Sequence, residues 1–158
     1  RRVEPVHEHA QIAQQRARVL EVAEDPAESS VAVVIETASV ATGDADRDGH
    51  IKSADFFDVE NYPEMKFTST AVRPNGPSWI LAGDLTIKDT TNPVTLEFDF
   101  VGLATDPWGN QKAAFSATTT IDREDWNLNW NVALETGGVL VSKKVAIEIE
   151  MQAVLAND

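Results

Sequence analysis

Hydrophobic and polar residues alternate with a period of two along most of this chain, which is the pattern of a β-strand with one buried and one solvated face. The segments that show it predict strands at roughly 31–40, 65–73, 79–88, 93–103, 111–121 and 144–155. Because each segment is apolar on one side only, the strands are expected to form antiparallel sheet with a wet outer face.

Short turn sequences separate these strands. Segments 74–77, 89–93 and 106–110 are rich in Pro, Asn, Asp and Gly, the residues that close tight turns between neighbouring strands. Hairpin-connected strands of this kind can remove their exposed edges by curling into a closed barrel. The sequence therefore predicts a single all-β domain over residues 1–158.

Two segments in the middle of the chain depart from the alternation. Ile51, Ala54 and Phe57 have helical spacing, so a short helical segment is expected within 44–58. The stretch 122–134 predicts a loop or a single turn that is packed by tryptophan.

The first thirty residues are harder to interpret. Segment 11–20 has a weak and polar helical pattern, and only 19–23 resembles a strand before the turn at Asp25 and Pro26.

Charge decides which face of the last strands points inward. Four carboxylates alternate with apolar residues there, and they cannot all be buried: Glu97, Asp99, Glu148 and Glu150. That phase predicts one common apolar face inside the barrel, which carries Phe67, Leu85, Ile87, Phe98, Phe115, Ile147 and Met151. An eight-stranded barrel is just wide enough to be filled by side chains or to hold one ligand, and the pattern leaves both alternatives open.

Composition limits the classes of partner. The 158 residues include 26 Asp+Glu against 13 Lys+Arg, a formal net charge of −13. Such a field repels phosphate backbones, which argues against nucleic-acid binding, and it repels anionic membranes. No apolar run approaches the ~20 residues of a membrane span, so no stable membrane insertion is expected. The chain has no cysteine, which excludes disulfides, thiolate nucleophiles and zinc–thiolate sites.

Two groups of residues invite a metal hypothesis. His7 and His9 would share one strand face, a spacing that can chelate a divalent metal, but polar residues near a chain terminus are the better explanation. The alternating acidic residues of 44–49 resemble a calcium loop, yet its twelfth position is Asp55, which is shorter than the usual bidentate Glu. We therefore predict no metal site, and the absence of any catalytic motif predicts no catalytic residues and no cofactor.

Five stretches carry a resemblance to a known family, in order and with the family's spacing: 47–58, 62–67, 83–87, 106–110 and 134–141. With the shorter matches between them, the chain from Ser29 onward resembles the YceI-like family. The resemblance implies an antiparallel eight-stranded lipocalin-like barrel that binds, sequesters or transports a polyisoprenoid or similar long apolar lipid without catalysis.

The physics of such a ligand agrees with that implication. Each buried CH₂ of a polyprenyl chain contributes ~0.8 kcal/mol, so a dry apolar tunnel can bind the chain without any catalytic group. A pyrophosphate head group would need cations, for which Arg47, His50 and Lys52 are the nearest cluster, although a solvated helix face also explains them.

Two alternatives remain beside lipid binding. One is a stress-related structural or interaction protein with a side-chain-filled barrel, and the other is an enzyme that acts on an isoprenoid lipid. The resemblance also allows homodimers, for which the candidate surface aromatics are Trp79, Trp108, Trp126 and Trp130. Residues 1–5 lack an apolar stretch behind their two arginines, so the chain as given predicts a cytoplasmic location, or a periplasmic or secreted one if a signal peptide has been removed.

The front of the chain departs from the family pattern. Segment 3–7 resembles the family's opening strand, but before Val19 the chain is shorter than the pattern by roughly a strand and a loop. Deleting a central strand would expose sheet edges, so a segment absent from the given sequence is the better explanation.

Overall fold

Long antiparallel strands dominate the computed structural model, which describes residues 11–12, 15–21 and 26–154. The strands in these ranges are β1 Gln11–Ile12, β2 Gln15–Glu21, β3 Ser30–Glu36, β4 Val40–Ala41, β5 Glu64–Asn75, β6 Ser78–Ile87, β7 Thr90–Thr105, β8 Gln111–Asp122 and β9 Lys144–Val154. The α-helix α1 spans Ala45–Lys52, and single 3-10 turns occupy Pro26–Glu28, Thr37–Ser39 and Arg123–Trp126. Five of the six predicted strands and the helical segment within 44–58 are confirmed, and the first predicted strand is confirmed over 31–36.

The main sheet has the strand order β2-β3-β5-β6-β7-β8-β9, and β1 pairs with β4 in a separate ribbon. Every neighbouring pair is antiparallel, and the sheet curls into a half-barrel. The all-β antiparallel prediction is therefore confirmed. Among the described residues β2 and β9 form the two sheet edges, so an eighth strand and the closure of the barrel stay predictions.

The weak helical pattern of 11–20 is a wrong prediction for β2. Residues 15–21 form a strand that pairs with β3, with Arg16 opposite Val34 and Ala17 opposite Val33. Pairing with β3 gives this segment backbone hydrogen bonds and a neighbouring strand to pack against. These tertiary contacts outweigh the weak local preference for a helix.

The first predicted strand is interrupted after Glu36. Thr37 is buried, its N–H donates to the carbonyl oxygen of Pro63 at 2.9 Å, and its hydroxyl donates to the carbonyl oxygen of Tyr62 at 2.9 Å. These bonds hold the chain in a 3-10 turn, so that segment 37–41 leaves the main sheet.

The side of the sheet that lies inside the half-barrel is called the inner face. Directly paired residues share a face, and Phe67 lies opposite Leu85, Phe98 opposite Ala117, and Phe115 opposite Met151. By this register the apolar residues of the inner face on β5–β9 include Met65, Phe67, Val72, Trp79, Leu81, Leu85, Ile87, Val94, Leu96, Phe98, Phe100, Leu103, Ala113, Phe115, Ala117, Ile121, Val145, Ile147, Ile149 and Met151. The four carboxylates Glu97, Asp99, Glu148 and Glu150 are all exposed, which confirms the phase that charge predicted.

Burial changes along the strands from one end of the half-barrel to the other. The end that holds α1 and the 3-10 turn Arg123–Trp126, called the helix end, is packed: Ile87 and Trp126 are each 3% exposed. The Trp126 indole N–H donates to the carbonyl oxygen of Leu85 at 2.9 Å, which confirms that tryptophan packs this loop. At the other end, called the hairpin end because it holds the β5–β6 and β7–β8 turns, Phe100 is 50% exposed.

A glycine makes the dense packing of the helix end possible. Gly83 of β6 lies opposite Ser69 of β5, and the ring of Phe67 folds across the strand onto it. A Cβ atom at Gly83 would meet that ring and would lie 2.5 Å from the carbonyl oxygen of Thr68. The aromatic ring therefore occupies the space that any other side chain at position 83 would need.

Gly83→Ala is expected to destabilise the fold by about 1–3 kcal/mol, because the Phe67 ring must leave its site or the strands must separate. Chemical denaturation measures the change. Gly102→Ala is the matched control, since Gly102 lies in β7 and its Cβ would meet nothing within 4 Å, so its effect should stay within about 0.5 kcal/mol. Equal effects of the two variants would contradict this account of the packing.

Candidate functional site

Four aromatic residues lie on the inner face at the hairpin end, and one of them, the half-buried Trp79 of β6, lies opposite Phe98. The ring centroids of Phe98 and Phe115 lie 5.5 Å apart in a stacked arrangement, and those of Phe100 and Phe115 lie 5.5 Å apart, tilted by 62°. Ala117 lies opposite Phe98 and leaves room above the sheet, while Met151 lies opposite Phe115. The result is an apolar surface, partly open to solvent, that continues the packed core.

The seven predicted lining residues all lie on the inner face, but in two different environments. Phe67, Leu85 and Ile87 are buried in the core of the helix end. Phe98, Phe115 and Met151 are only half-buried and lie toward the hairpin end, whereas Ile147 is half-buried near the start of β9 and packs against the core. Contact of these residues with a ligand stays a prediction.

Three polar residues of the inner face are bonded to the backbone. The Ser69 hydroxyl accepts from the Val31 N–H at 2.8 Å, the Asn92 amide donates to the Asp125 carbonyl oxygen at 2.7 Å, and the Thr119 hydroxyl donates to the Thr95 carbonyl oxygen at 2.7 Å. Among the described positions of β3 and β5–β9, this face carries no Asp, Glu, Lys or Arg. A ligand there would meet an uncharged surface.

The acidic residues that resemble a calcium loop start and hold α1. The Asp44 carboxylate caps the helix by accepting from the N–H groups of Asp46 and Arg47 at 3.0 and 3.1 Å. Asp48 accepts from the Thr42 hydroxyl at 2.5 Å and the Thr42 N–H at 2.8 Å, and the hydroxyl bond chiefly lowers the pKa of its carboxyl. Asp44 and Asp48 therefore stabilise the local structure of this segment through hydrogen bonds.

The head-group candidates on α1 lie at the helix end. Arg47 donates from Nε to the Thr42 hydroxyl at 2.9 Å, and His50 Nε2 lies 2.9 Å from Asp55 Oδ2. The His50 ring meets Trp130 edge-on with centroids 4.3 Å apart. Lys52 is half-buried and close enough to Asp48 to help lower the pKa of that carboxyl. Arg47 and His50 thus have partners within their own segment. The cluster lies at the other end of the half-barrel from the open aromatic row.

A buried arginine that the sequence analysis missed also lies at the helix end. Arg123 is 4% exposed, its Nε donates to the Ser142 carbonyl oxygen at 2.8 Å, and its two terminal nitrogens donate to the carbonyl oxygens of Leu128 and Val141. Its guanidinium carbon lies 5.8 Å from the centroid of the Phe56 ring. The cation therefore holds the long β8–β9 connection in place. The sequence signal for this role was the position of Arg123, a basic residue directly after a predicted strand and at the start of a long connection.

The β7–β8 turn is a rigid structure that presents Trp108 to solvent. The Asp106 carboxylate accepts from the Trp108 N–H at 2.9 Å, the Asn110 N–H at 2.9 Å and the Asn110 side-chain amide at 3.0 Å. Gly109 adopts a φ of +88°, which completes the tight turn. Trp108 itself is 83% exposed. Of the four candidate surface aromatics, Trp126 is buried and Trp79 and Trp130 are half-buried.

A depression with a mixed lining lies on the outer face of the sheet. It has a volume of about 460 Å³, and it is lined by threonine hydroxyls, by the carboxylates of Glu97 and Glu148, and by the apolar Ile80, Ala146 and Ile147. The two carboxylates make it less suited to an apolar chain than the uncharged inner face.

Two further features concern the described part of the chain alone. No helix there is both long and apolar enough to cross a bilayer. No cluster of three or more His, Asp and Glu side chains there has the geometry to hold a metal ion. His7 and His9 lie outside the described residues.

Comparison with known proteins gives a consistent family match. The sequence profile of the YceI-like domain matches residues 4–153. Over 104 residues the chain is 44% identical to Protein YceI of Escherichia coli and 46% identical to UPF0312 protein PputW619_0484 of Pseudomonas putida. These alignments cover 66% and 65% of this chain and 54% of each relative, so the match spans about half the length of these curated relatives.

Solved structures agree with the fold. The crystal structure of Campylobacter jejuni YCEI protein has a TM-score of 0.82 and 25% identity, and the alignment covers 99% of this chain and 90% of that one. BcnA of Burkholderia cenocepacia has a TM-score of 0.69 and 23% identity, with coverages of 89% and 82%, which is a likeness of fold alone.

The Asp106 turn is expected to lose stability in acid. The side-chain bond from Asn110, followed by its backbone N–H, lowers the pKa of the Asp106 carboxyl below its ordinary value of 3.8. The ionised Asp106 carboxylate therefore contributes its full share to the free energy of unfolding above its unfolded pKa. That stabilisation is lost as the pH falls through the lower folded pKa. Asp106→Asn should reduce the denaturation midpoint at neutral pH, and its difference from the wild type should shrink as the pH falls below about 4.

Asp99→Asn is the control for a change of one charge, because Asp99 is exposed on the outer face of β7. A pH-independent difference between Asp106→Asn and the wild type would contradict the proposed role of the carboxylate.

Proposed function

This chain belongs to the YceI-like family, and we propose that it is a non-enzymatic protein that binds, sequesters or carries a polyisoprenoid or similar long apolar lipid. The observation that carries the proposal is the open row of Phe98, Phe100 and Phe115 on an inner face that is uncharged throughout its described positions. Burial of ten chain carbons would contribute ~8 kcal/mol before the cost of ordering the ligand.

The position of the open surface suggests where the lipid lies. Side chains already fill the helix end, where Phe67 covers Gly83 and Trp126 closes the core. We therefore place the apolar part of the ligand at the hairpin end, along Phe98 and Phe115 of β7 and β8 and across to Met151 of β9.

Binding without catalysis is the simplest proposal for this surface. Ser69, Asn92 and Thr119 are polar residues of the inner face, and each is bonded to a backbone group. None of them lies beside a general base, as an activated nucleophile requires.

A side-chain-filled barrel that acts as an interaction protein is the alternative function. The packed helix end favours it, because no room for a ligand remains around Phe67 and Leu85. Mass spectrometry of organic extracts from purified protein separates the two functions. A lipid that is present in stoichiometric amount supports binding, and extracts without lipid together with no uptake of added polyprenol support the alternative.

Ala117→Phe is expected to weaken polyprenol binding about tenfold or more, because a new ring opposite Phe98 and Ile149 would occupy the ligand site. Its cost in stability should be only about 1–3 kcal/mol. Thr118→Phe is the matched control, since Thr118 is the next residue of β8 and is exposed on the outer face. Displacement of a fluorescent polyprenol analogue measures binding, and equal affinities of the two variants would refute the assignment of the site.

A head-group role for α1 is tested best at Lys52. Arg47 and His50 hold the segment through Thr42 and Asp55, so their loss would disturb the fold. The apolar chain is proposed to start at the hairpin end, so its head group reaches α1 only if the chain runs along the inner face to the helix end. In that case Lys52→Gln should weaken binding of a prenyl pyrophosphate about threefold and leave the neutral prenol unchanged, because one partly exposed charge contributes little. An equal change for both ligands, or no change for either, would exclude contact between Lys52 and the head group.

A further inference from the structure

The largest exposed hydrophobic side chains of β7 and its following turn lie together at the hairpin end. Phe100 is 50% exposed, Val101 68%, Leu103 76% and Trp108 83%. These four residues are called the apolar tip. Phe100 and Leu103 belong to the inner face, so the tip is continuous with the proposed ligand surface. Exposed apolar patches of this kind mark sites of interaction.

Hydrogen bonds within the turn order the backbone that carries Trp108. The backbone around Trp108 is held by three hydrogen bonds to the Asp106 carboxylate. A fourth bond runs from the Gly109 N–H to the Asp106 carbonyl oxygen at 3.0 Å. None of these bonds uses the indole, which remains free for a partner. A rigid turn with an exposed tryptophan lowers the entropy cost of binding.

The tip also differs from the rest of the molecule in charge. Within 100–114 the ionisable residues are Asp106 and Lys112, and their side chains lie 3.7 Å apart, so this segment has no net charge in a chain of −13. The neighbouring β5–β6 hairpin adds Arg73. The tip itself therefore brings no net negative charge to a lipid head-group layer, and the exposed Glu28 of the β2–β3 connection, on the far side of β5 from the tip, is the described carboxylate of the other turns toward this end.

A small depression adjoins the tip. It has a volume of about 220 Å³, and its lining includes Val101, Leu103 and Lys112. Lys112 therefore lies beside exposed aliphatic side chains, an arrangement that suits the boundary between lipid phosphates and acyl chains.

We propose that the apolar tip docks reversibly on the surface of a phospholipid bilayer, and that the lipid ligand passes between the bilayer and the inner face at this end. Tryptophan is favoured at the membrane interface because its ring is apolar and its N–H is polar. Four side chains bury too little area for permanent anchoring, so contact is transient. Docking stands by itself, and only the passage of the lipid ligand rests on the proposed lipid-binding function.

Binding to phosphatidylcholine vesicles tests the docking step. In flotation assays the wild type should bind, and Trp108→Ala should bind about fivefold less, because the indole is lost while the turn keeps its backbone bonds. Leu140→Ala is the matched control: Leu140 is 58% exposed on the β8–β9 connection at the helix end and should leave binding unchanged. Quenching of the wild-type fluorescence by brominated acyl chains should also disappear in Trp108→Phe.

Three outcomes would overturn the proposal. The first is equal vesicle binding by Trp108→Ala and the wild type. The second is binding by the wild type that requires anionic lipid and disappears in salt. The third is a concentration-dependent dimer in light scattering that Trp108→Ala abolishes, without vesicle binding, which would assign the tip to a second copy of the chain.

Two measurements of ligand uptake separate this proposal from the function on which it rests. Trp108→Ala should take up polyprenol from an ethanolic dispersion as the wild type does, but should extract it from vesicles about fivefold more slowly. Extraction at the wild-type rate would refute docking and leave lipid binding intact. A wild type that takes up no polyprenol, yet binds vesicles through Trp108, would refute lipid binding and leave docking intact.

Discussion

The packing of the Phe67 ring on Gly83 determines how far side chains fill the half-barrel. The ring lies across the strand boundary between β5 and β6, where it reaches the core made by Leu85, Ile87 and Trp126. Beyond this layer the inner face becomes progressively less covered, until Phe100 at the hairpin end is half exposed. A filled core and an open apolar surface thus coexist on one sheet, and the first stabilises the scaffold that presents the second.

Buried polar groups at the helix end serve the backbone. The Trp126 indole N–H, the Thr37 hydroxyl and the Arg123 guanidinium all donate to carbonyl oxygens of other segments. Each bond attaches a non-strand segment to the sheet without placing an unpaired polar group in the core. Arg123 is the strongest example, because three carbonyl oxygens share the hydrogen-bond donors of one cation and hold both ends of the β8–β9 connection.

The strands and their phase could be predicted because alternation and charge point to the same face. Leu96 and Phe98 alternate with Glu97 and Asp99, and the carboxylates are exposed as expected. The division of the lining residues into a packed and an open group was not predictable, since it depends on where one ring lies relative to a glycine of the next strand. The strand Gln15–Glu21 was missed because its pairing with β3, and not its own pattern, stabilises it.

The candidate site shows the same limit. The sequence placed Arg47 and His50 in one helical segment correctly, but it could not show that Thr42 and Asp55 already engage them. Such contacts join residues that lie five apart through a turn and a helix end, and their geometry appears only once the segment is folded. Hydrophobic alternation likewise identifies the apolar face of a strand but does not show which part of that face stays exposed to solvent.

A register shift in β7 lies within the apolar tip. Phe100 lies opposite Phe115 and Leu103 lies opposite Ala113, so the strand gains one residue between these pairs. This bulge restores the inward direction of Leu103, three positions after Phe100, and increases the local twist of the hairpin. The segment beyond it can lengthen or shorten by paired residues without moving any contact below Phe98. The length of the β7–β8 hairpin, and with it the reach of Trp108, is therefore set separately from the packed layer around Phe67.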